Sequence, residues 1–225
     1  MILKMEELNQ FTYQTPKTLP VVLLLDTSGS MHENGKIAVL NSAVNEMLTS
    51  FKNLDATNAS ISVSIITFGG NAQICQELKP VSEIGEINMI ASGMTPMGGA
   101  VRLAKEMIEN KEIITSRTYR PTVVLVSDGM PNDSWEGAID LFKNDGRSAK
   151  CYRMAMGIGV EEGTTEHKVL ENFISNEERV YSAEDASNIR KFFKYVTMSV
   201  TSRTRSQNPN IVPKKEEIED EEDIF

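Results

Sequence analysis

Residues 19–26, LPVVLLLD, decide the fold. The run is apolar until it ends in Asp26, and an unbroken run of leucine and β-branched residues is typical of a strand that helices cover on both faces. A second run of this kind, PTVVLVS, occupies residues 121–127 and is followed by Asp128. Two such strands predict a parallel sheet buried between two layers of helices.

Helical and strand patterns alternate along the rest of the chain. From residue 36 to 51, apolar residues recur at the spacing of an amphipathic helix, whereas residues 61–68 begin with the alternation of a strand. Gly69-Gly70-Asn71 is typical of a hairpin turn, so the strand at 72–78 should pair antiparallel with the one before it. Further strands are predicted at 151–158 and 178–182, and further helices near 100–108, at 133–144, at 165–174 and at 184–203.

This alternation predicts the fold class. We expect an α/β protein with a doubly wound, mostly parallel six-stranded sheet, one antiparallel edge strand, and helices on both faces. Two helix starts look like capping boxes, one formed by Asp133 with Glu136 and the other by Ser182 with Asp185.

The composition fits one domain. The chain has 225 residues, of which 40% are hydrophobic, and this is enough for a single independent core. We predict an N-terminal arm at 1–18, one domain at 19–203 and an acidic, disordered tail at 204–225. The formal net charge is −9, and residues 206–225 contribute −5 of it through seven acids and two lysines. An acidic chain without a basic stripe is a poor match for nucleic acid or an anionic membrane surface.

The sequence carries no sign of export. The start, MILKMEELNQ, carries two acids before any apolar run develops and lacks the basic start and the apolar stretch of a signal peptide, and no run approaches 18 consecutive apolar residues. We expect Cys75 and Cys151 to be small buried thiols in a reducing compartment. The cytoplasm is therefore the expected location, with no membrane contact.

Three loops carry the polar residues that this fold should bring together. DTSGS (26–30) and SDGMPND (127–133) follow the two buried strands, and GMTPMGG (93–99) precedes a helix. In doubly wound sheets, ligands bind beyond the carboxyl ends of the strands. We therefore expect a single site built from the side-chain oxygens of Asp26, Ser28, Ser30, Thr95 and Asp128.

An all-oxygen site of this kind suits a hard divalent cation. Carboxylate and hydroxyl oxygens favour Mg²⁺, with Mn²⁺ or Ca²⁺ as alternatives. The carboxylates of Asp26 and Asp128 balance the charge of one divalent ion, and the hydroxyls add none. The ion would then accept one more carboxylate from outside.

The same residues also have local explanations. Ser28 and Ser30 are common in turns, and Asp26 is a possible helix cap. Thr95 stands before Pro96, which makes it a good N-cap with proline at the first helical position.

Together, DTSGS, TPMGGA and SDGMPND resemble the metal-ion-dependent adhesion site (MIDAS) of von Willebrand factor A domains, and the resemblance covers roughly residues 19–203. It implies that Ser28 and Ser30 bind the cation directly, and that Thr95 does so directly or through water. Asp26 and Asp128 would act mainly through water, or as hydrogen-bond acceptors close behind the direct ligands. An acidic residue of a protein partner would complete the coordination.

Within this family, the compact body is similar to the bacterial tellurium-resistance type, the TerY-like group. That resemblance implies a stress-response system in which the partner is a kinase or a phosphatase. Trp135, just beyond the second aspartate loop, is either a partner anchor or a packing residue.

We compare three functions for this site. The first is a binding module that uses its metal to bind a partner protein. In this case we expect the chain not to be an enzyme. The second is a metal-dependent hydrolase or phosphatase that uses Asp26. Phosphatases that form an aspartyl-phosphate have an Asp-x-Asp motif at this turn, and this chain has Ser28 in place of the second Asp. The sequence also lacks a Gly-x-Ser-x-Gly elbow and a phosphate-binding loop. The third is a scaffold in which the metal only stabilises the fold.

Overall fold

Strands and helices alternate in the order that the sequence predicts. The computed structural model describes residues 17–54, 59–176 and 178–212. The elements, in chain order, are β1 (Lys17–Asp26), α1 (Lys36–Lys52), β2 (Ala59–Gly69), β3 (Asn71–Pro80), α2 (Met97–Glu109), β4 (Thr122–Ser127), α3 (Trp135–Asn144), β5 (Tyr152–Ile158), α4 (Thr165–Phe173), β6 (Val180–Ala183) and α5 (Ala186–Arg205).

β1 lies in the middle of a six-stranded sheet with the order β3-β2-β1-β4-β5-β6. β1 pairs in parallel with β2 and β4, and the parallel pairing continues through β5 to β6. Among the described strands, β3 alone runs antiparallel, joined to β2 by a hairpin in which Gly70 has a φ of 72°. The predicted fold class is confirmed.

Both faces of β1 are buried, which explains its unbroken apolar run. Leu23 and Leu25 point into a core that they share with α1 and α5. Val22 and Leu24 point into a second core, formed with α2, α3 and α4. All four side chains are 0% exposed, and the strand is buried on both faces from Leu19 to Asp26.

The starts of two helices differ from the prediction. α3 begins two residues after Asp133, so Asp133 does not form a capping box there. Asp185 is itself the N-cap of α5 and accepts a hydrogen bond from the Asn188 N–H at 3.0 Å, whereas Ser182 lies in β6. No helix in the described ranges combines the length and the apolarity needed to cross a bilayer.

The folded region is longer than predicted at both ends. β1 begins at Lys17, and residues 1–16 of the predicted arm lie outside the described residues. α5 ends at Arg205, and the chain after it still contacts the body: the Asn210 side-chain oxygen accepts a hydrogen bond from the Arg120 N–H at 2.7 Å. The predicted tail therefore starts too early, and its residues 213–225 lie outside the described residues.

The two cysteines have different surroundings. Cys151 is fully buried, and burial raises the pKa of its thiol to about 12. Cys75 lies on the edge strand β3 and is exposed. The expectation of two buried thiols is wrong for Cys75, because the edge strand leaves its outer face to solvent.

Candidate metal-binding site

The first and second loops leave the sheet side by side. β1 ends at Asp26 and β4 at Ser127, and these strands are neighbours with Leu25 opposite Val126. The loop after each strand therefore begins at the same edge of the sheet. This places the DTSGS and SDGMPND segments together, as the doubly wound topology predicts.

Four of the five predicted residues form one hydrogen-bonded chain. The hydroxyls of Ser28 and Ser30 are 3.1 Å apart, and the Ser30 hydroxyl donates to Asp128 Oδ1 at 2.7 Å. Asp26 Oδ1 accepts the Ser28 N–H at 2.8 Å, and Asp26 Oδ2 accepts the hydroxyl of Ser127 at 2.5 Å. Ser30 is exposed, while Ser28 and Asp26 are buried, so the chain runs from the interior to the surface.

The fifth residue, Thr95, lies on a loop that is fixed between the other two. The Thr95 carbonyl accepts the Asn132 N–H at 3.1 Å, and the Gly93 carbonyl accepts the Gly29 N–H at 2.9 Å. The half-buried Thr95 side chain has no hydrogen-bond partner among the described residues. The N-cap of α2 is Pro96 and no side chain caps it, so Thr95 does not play the capping role that its position before proline suggested.

Glycines allow this loop to approach so closely. A Cβ atom on Gly93 would lie 2.5 Å from the Cα of Gly70, and Gly93 also has a φ of 72°, which L side chains rarely adopt. A Cβ atom on Gly69 would lie 2.1 Å from the Thr27 carbonyl oxygen. A larger residue at Gly93 would push the loop of Thr95 away from the β2–β3 hairpin, and one at Gly69 would push this hairpin away from the first loop.

Asp133 caps α2, and not the following helix α3 as the sequence indicated. Its Oδ1 accepts the Gly98 N–H at 2.8 Å and its Oδ2 accepts the Gly99 N–H at 2.7 Å. These N–H groups lie in the first turn of α2, where an α-helix leaves its donors without internal partners. Arg102 also pairs with Asp133 at 3.2 Å. The SDGMPND loop thus fixes the start of α2 and, with it, the loop of Thr95.

Lys36 is a functional candidate that the sequence reasoning missed. Its ammonium contacts Asp128 Oδ2 at 2.7 Å, and the two side chains are 20% and 0% exposed. Lys36 is the first residue of α1, and no spacing rule connects that position with Asp128, which is 92 residues away. Ser127, the donor to Asp26, was missed although it directly precedes Asp128.

The electrostatics favour a cation at this end of the sheet. Burial raises the pKa of Asp26 above its ordinary value, and the nearby negative charge of Asp128 raises it further. The hydrogen bonds from Ser127 and Ser28 oppose this rise because they stabilise the ionised form. A positive ion beside Asp26 would lower its pKa in the same way.

The donor set fits a hard divalent ion. The side-chain atoms that the predicted ligands bring together are all oxygens, with the Lys36 ammonium beside them at Asp128, and hard cations prefer oxygen. With Mg²⁺–oxygen bonds of about 2.1 Å, adjacent ligands of an octahedron lie about 3 Å apart, which matches the 3.1 Å between the two serine hydroxyls. Among the described residues, no three His, Cys, Asp or Glu side chains are grouped as metal ligands, so the hydroxyls are essential to this assignment.

Comparison with protein families gives one match. Residues 21–130, just under half of the chain, match the von Willebrand factor type A domain family. The matched segment contains the first loop, the loop of Thr95 and Asp128. No curated protein matches the chain.

Solved structures share the fold at low sequence identity. A von Willebrand factor type A protein from Catenulispora acidiphila superposes with a TM-score of 0.61 at 16% identity, covering 81% of this chain and 42% of its own. The pilus adhesin SpaC from Lactobacillus rhamnosus GG gives 0.67 at 17%, covering 85% and 31%. Proximal thread matrix protein 1 from the mussel byssus, with a zinc-occupied MIDAS motif, gives 0.61 at 18%, covering 81% and 45%. The present chain thus spans less than half the length of each of these proteins.

Proposed function

Because residues 21–130 match the von Willebrand factor type A domain family and the sheet has the fold of these domains, we propose that this chain is a von Willebrand factor type A domain that acts as a metal-dependent protein-binding module. In this proposal Ser28, Ser30 and Thr95 supply hydroxyl ligands to one Mg²⁺ ion, with Mn²⁺ or Ca²⁺ as alternatives. Asp26 and Asp128 balance its charge from behind the hydroxyls. An acidic residue of the partner completes the site.

The hydrogen-bonded chain from Asp26 to Asp128 carries this proposal. It brings the hydroxyls of Ser28 and Ser30 to octahedral spacing, and both carboxylates already accept hydrogen bonds from the hydroxyl or amide groups of this chain. When bound, a divalent ion supplies a positive centre for an outside carboxylate. The protein residues hold the hydroxyls in place and, through the exposed Ser30, keep the centre open to solvent.

The surface around the site supports a protein partner. Met94 and Met130 are 63% and 40% exposed, and each lies on a loop that carries a predicted ligand. The Asn132 amide contacts the Met94 sulfur at 3.4 Å, so the two loops form one continuous rim. Methionine is a flexible, polarisable side chain that suits protein-binding surfaces. Trp135 is partly buried against the core, which favours packing over a role as partner anchor.

The geometry favours binding over catalysis by Asp26. A nucleophilic carboxylate needs one oxygen that can reach a substrate. Asp26 is 0% exposed, and its two oxygens are occupied by the Ser28 amide and the Ser127 hydroxyl. A hydrolase or phosphatase mechanism through Asp26 would have to break both contacts first.

We extend the proposal to the biological setting that the sequence resemblance implies. The TerY-like resemblance supports a role in a bacterial stress-response or tellurium-resistance system in the cytoplasm, with a kinase or a phosphatase of that system as the partner. The mussel protein with a zinc-occupied MIDAS motif supports metal use by domains of this fold, and the pilus adhesin supports a role in adhesion.

The first test measures the metal alone. We expect calorimetric titration with Mg²⁺ and Mn²⁺ to give one site per chain, and Ser28→Ala to weaken it at least about tenfold, since one direct ligand is lost without a change in charge. Ser50→Ala is the matched control, because Ser50 is an exposed serine at the far end of α1. Equal metal binding by all three proteins would contradict the assignment.

The second test measures partner recognition. A displayed peptide library is selected on the domain in Mg²⁺ and again in EDTA. We expect peptides with an Asp or Glu to be enriched in Mg²⁺ and lost in EDTA or on the Ser28→Ala variant. Selected peptides that bind equally well in EDTA would contradict metal-bridged recognition and would leave the ion a structural role.

A further inference from the structure

A cationic pocket lies at the opposite end of the sheet from the metal-binding site. Its volume is about 430 Å³, and Arg120, Arg147, Lys150 and Asn210 line it. Arg120 and Lys150 stand just before β4 and β5 respectively. The pocket therefore opens below the amino ends of these strands, at the foot of the sheet.

The basic side chains of this pocket have no carboxylate partner among the described residues. The Arg120 Nε donates to the Lys150 carbonyl at 2.8 Å, and Arg147 donates to the carbonyls of Ile108 and Thr115 at 2.7 and 3.1 Å. The ion pairs of the described chain all lie elsewhere. Neutral carbonyls orient these side chains but leave their positive charges uncompensated.

A third arginine lies buried beneath the pocket. Arg203 is 0% exposed, and its guanidinium donates to the Pro209 carbonyl, the Thr122 hydroxyl and the Arg120 carbonyl. Burial lowers the pKa of Arg203 to about 10, and repulsion by Arg120 adds to the effect. A buried charge held only by neutral acceptors is costly, so a negative group at the mouth of the pocket would stabilise this end of the fold.

The carboxylate of Glu109, which contacts the backbone of the pocket residue Arg147, already has its own partners. Glu109 Oε1 accepts the backbone N–H groups of Arg147 and Ser148 at 2.8 and 3.0 Å, and Lys105 lies 3.3 Å away. Lys105 also contacts Asp145. Neither acid turns toward Arg120 or Lys150, and the pocket keeps its positive charge.

We propose that the acidic run of this same chain, EEIEDEED at residues 216–223, docks in this pocket. Asn210 lines the pocket and is bonded to the Arg120 N–H, so the chain passes the mouth of the pocket only six residues before Glu216. Six residues span about 20 Å when extended, and such a tether gives an effective concentration in the millimolar range. The run carries seven acids, which opposes the uncompensated cations.

The arrangement suits a run of several carboxylates better than one phosphate group. The guanidinium N–H groups of Arg120 and Arg147 are partly used on backbone carbonyls, and Lys150 is exposed. These cations attract by charge over a wide mouth and do not form a compact cage of donors. Several carboxylates in sequence can reach them separately.

The test places a spin label in the acidic run of the full chain. A cysteine is introduced by Ile218→Cys in a Cys75→Ser background, because Cys75 is exposed and would also be labelled, whereas Cys151 is buried. We expect the label to broaden the amide signals of Arg147, Ser148 and Cys151. The broadening should disappear at about 0.5 M NaCl, where the screening length is only about 4 Å.

Two charge reversals separate docking from simple nearness. Lys150→Glu should abolish the broadening, whereas Lys168→Glu, an exposed lysine on α4, should leave it unchanged. Broadening at Ser28 and Gly129 would show that the acidic run occupies the metal-binding site and would overturn the proposal. Uniform broadening, or broadening that survives Lys150→Glu, would overturn it as well. None of these outcomes depends on metal binding.

Discussion

Replacing Lys36 with methionine should lower the stability of the protein in the absence of metal and raise its affinity for Mg²⁺. The Lys36 ammonium is 2.7 Å from Asp128 Oδ2 and balances a side chain that is 0% exposed. Methionine keeps a long side chain but removes the charge. The substitution therefore separates what the ammonium does for the fold from what it does against a second cation.

The cost to the metal-free fold follows from the burial of the pair. Removing one partner of a fully buried ion pair costs about 3–5 kcal/mol. Lys36 is 20% exposed, so water reaches the pair, and Ser30 still donates to Asp128. We expect a loss of about 2 kcal/mol, which for a domain of this size lowers Tm by about 4–8 °C.

The gain in metal affinity follows from the lost repulsion. At an effective dielectric constant of about 20, an ammonium and a divalent ion about 6 Å apart repel each other by about 5–6 kcal/mol, and salt and solvent around the partly exposed Lys36 reduce this value to a fraction. We therefore expect Lys36→Met to bind Mg²⁺ about tenfold more tightly, which corresponds to about 1.4 kcal/mol. Saturating Mg²⁺ should then restore most of the lost Tm.

Calorimetry with Mg²⁺ and thermal melts in EDTA and in Mg²⁺ provide both numbers. Lys191→Met is the matched control, because Lys191 is an exposed lysine on α5, the helix beside α1, and it should change neither quantity. The reasoning is refuted if folded Lys36→Met binds Mg²⁺ no more tightly than the unaltered protein. Such a result would mean that the ammonium and the metal do not compete for Asp128.

Two further predictions concern stability away from the metal. Burial raises the pKa of Glu178, although the hydroxyls of Tyr152 and Tyr195 donate to it, so the free energy of unfolding should fall as pH rises from the ordinary carboxyl pKa through the raised one. Glu178→Gln should remove that fall in urea unfolding between about pH 4 and pH 7. A variant that keeps the same fall as the unaltered protein would show that Glu178 is not its source. Gly98→Ala should lower the free energy of unfolding by about 1–3 kcal/mol in chemical denaturation, because the added Cβ would lie 2.8 Å from the Trp135 Cα. Gly137→Ala is the control: its Cβ meets nothing within 4 Å, and it should stabilise α3 by about 0.5–1 kcal/mol.

The sequence was sufficient for the fold because each element carries a local signal. The apolar run of β1 has both faces buried, and the glycine-rich turn after β2 produces the antiparallel edge strand. The convergence of Asp26, Ser28, Ser30 and Asp128 followed from the topology alone, since the residues that end neighbouring parallel strands must meet.

The contacts that no local signal describes could not be predicted. Asp133 was assigned to the helix that follows it, but its carboxylate caps α2, which lies 34 residues earlier in the chain. Lys36 pairs with Asp128 across 92 residues. In both cases the partner is set by how loops from different strands pack, and spacing along one segment contains no information about that.

The Lys36–Asp128 pair also bears on what the site prefers to bind. With both carboxylates ionised, the Lys36 ammonium gives the carboxyl end of the sheet a charge of −2 + 1 = −1 before a metal binds. A divalent ion changes this to −1 + 2 = +1, so the loaded site attracts an anionic group, whereas a site with the two carboxylates alone would be neutral. We infer that the positive charge of Lys36 lowers the affinity for the metal and raises the affinity for an acidic partner. Metal affinity and partner affinity should therefore move in opposite directions when Lys36 is replaced by methionine.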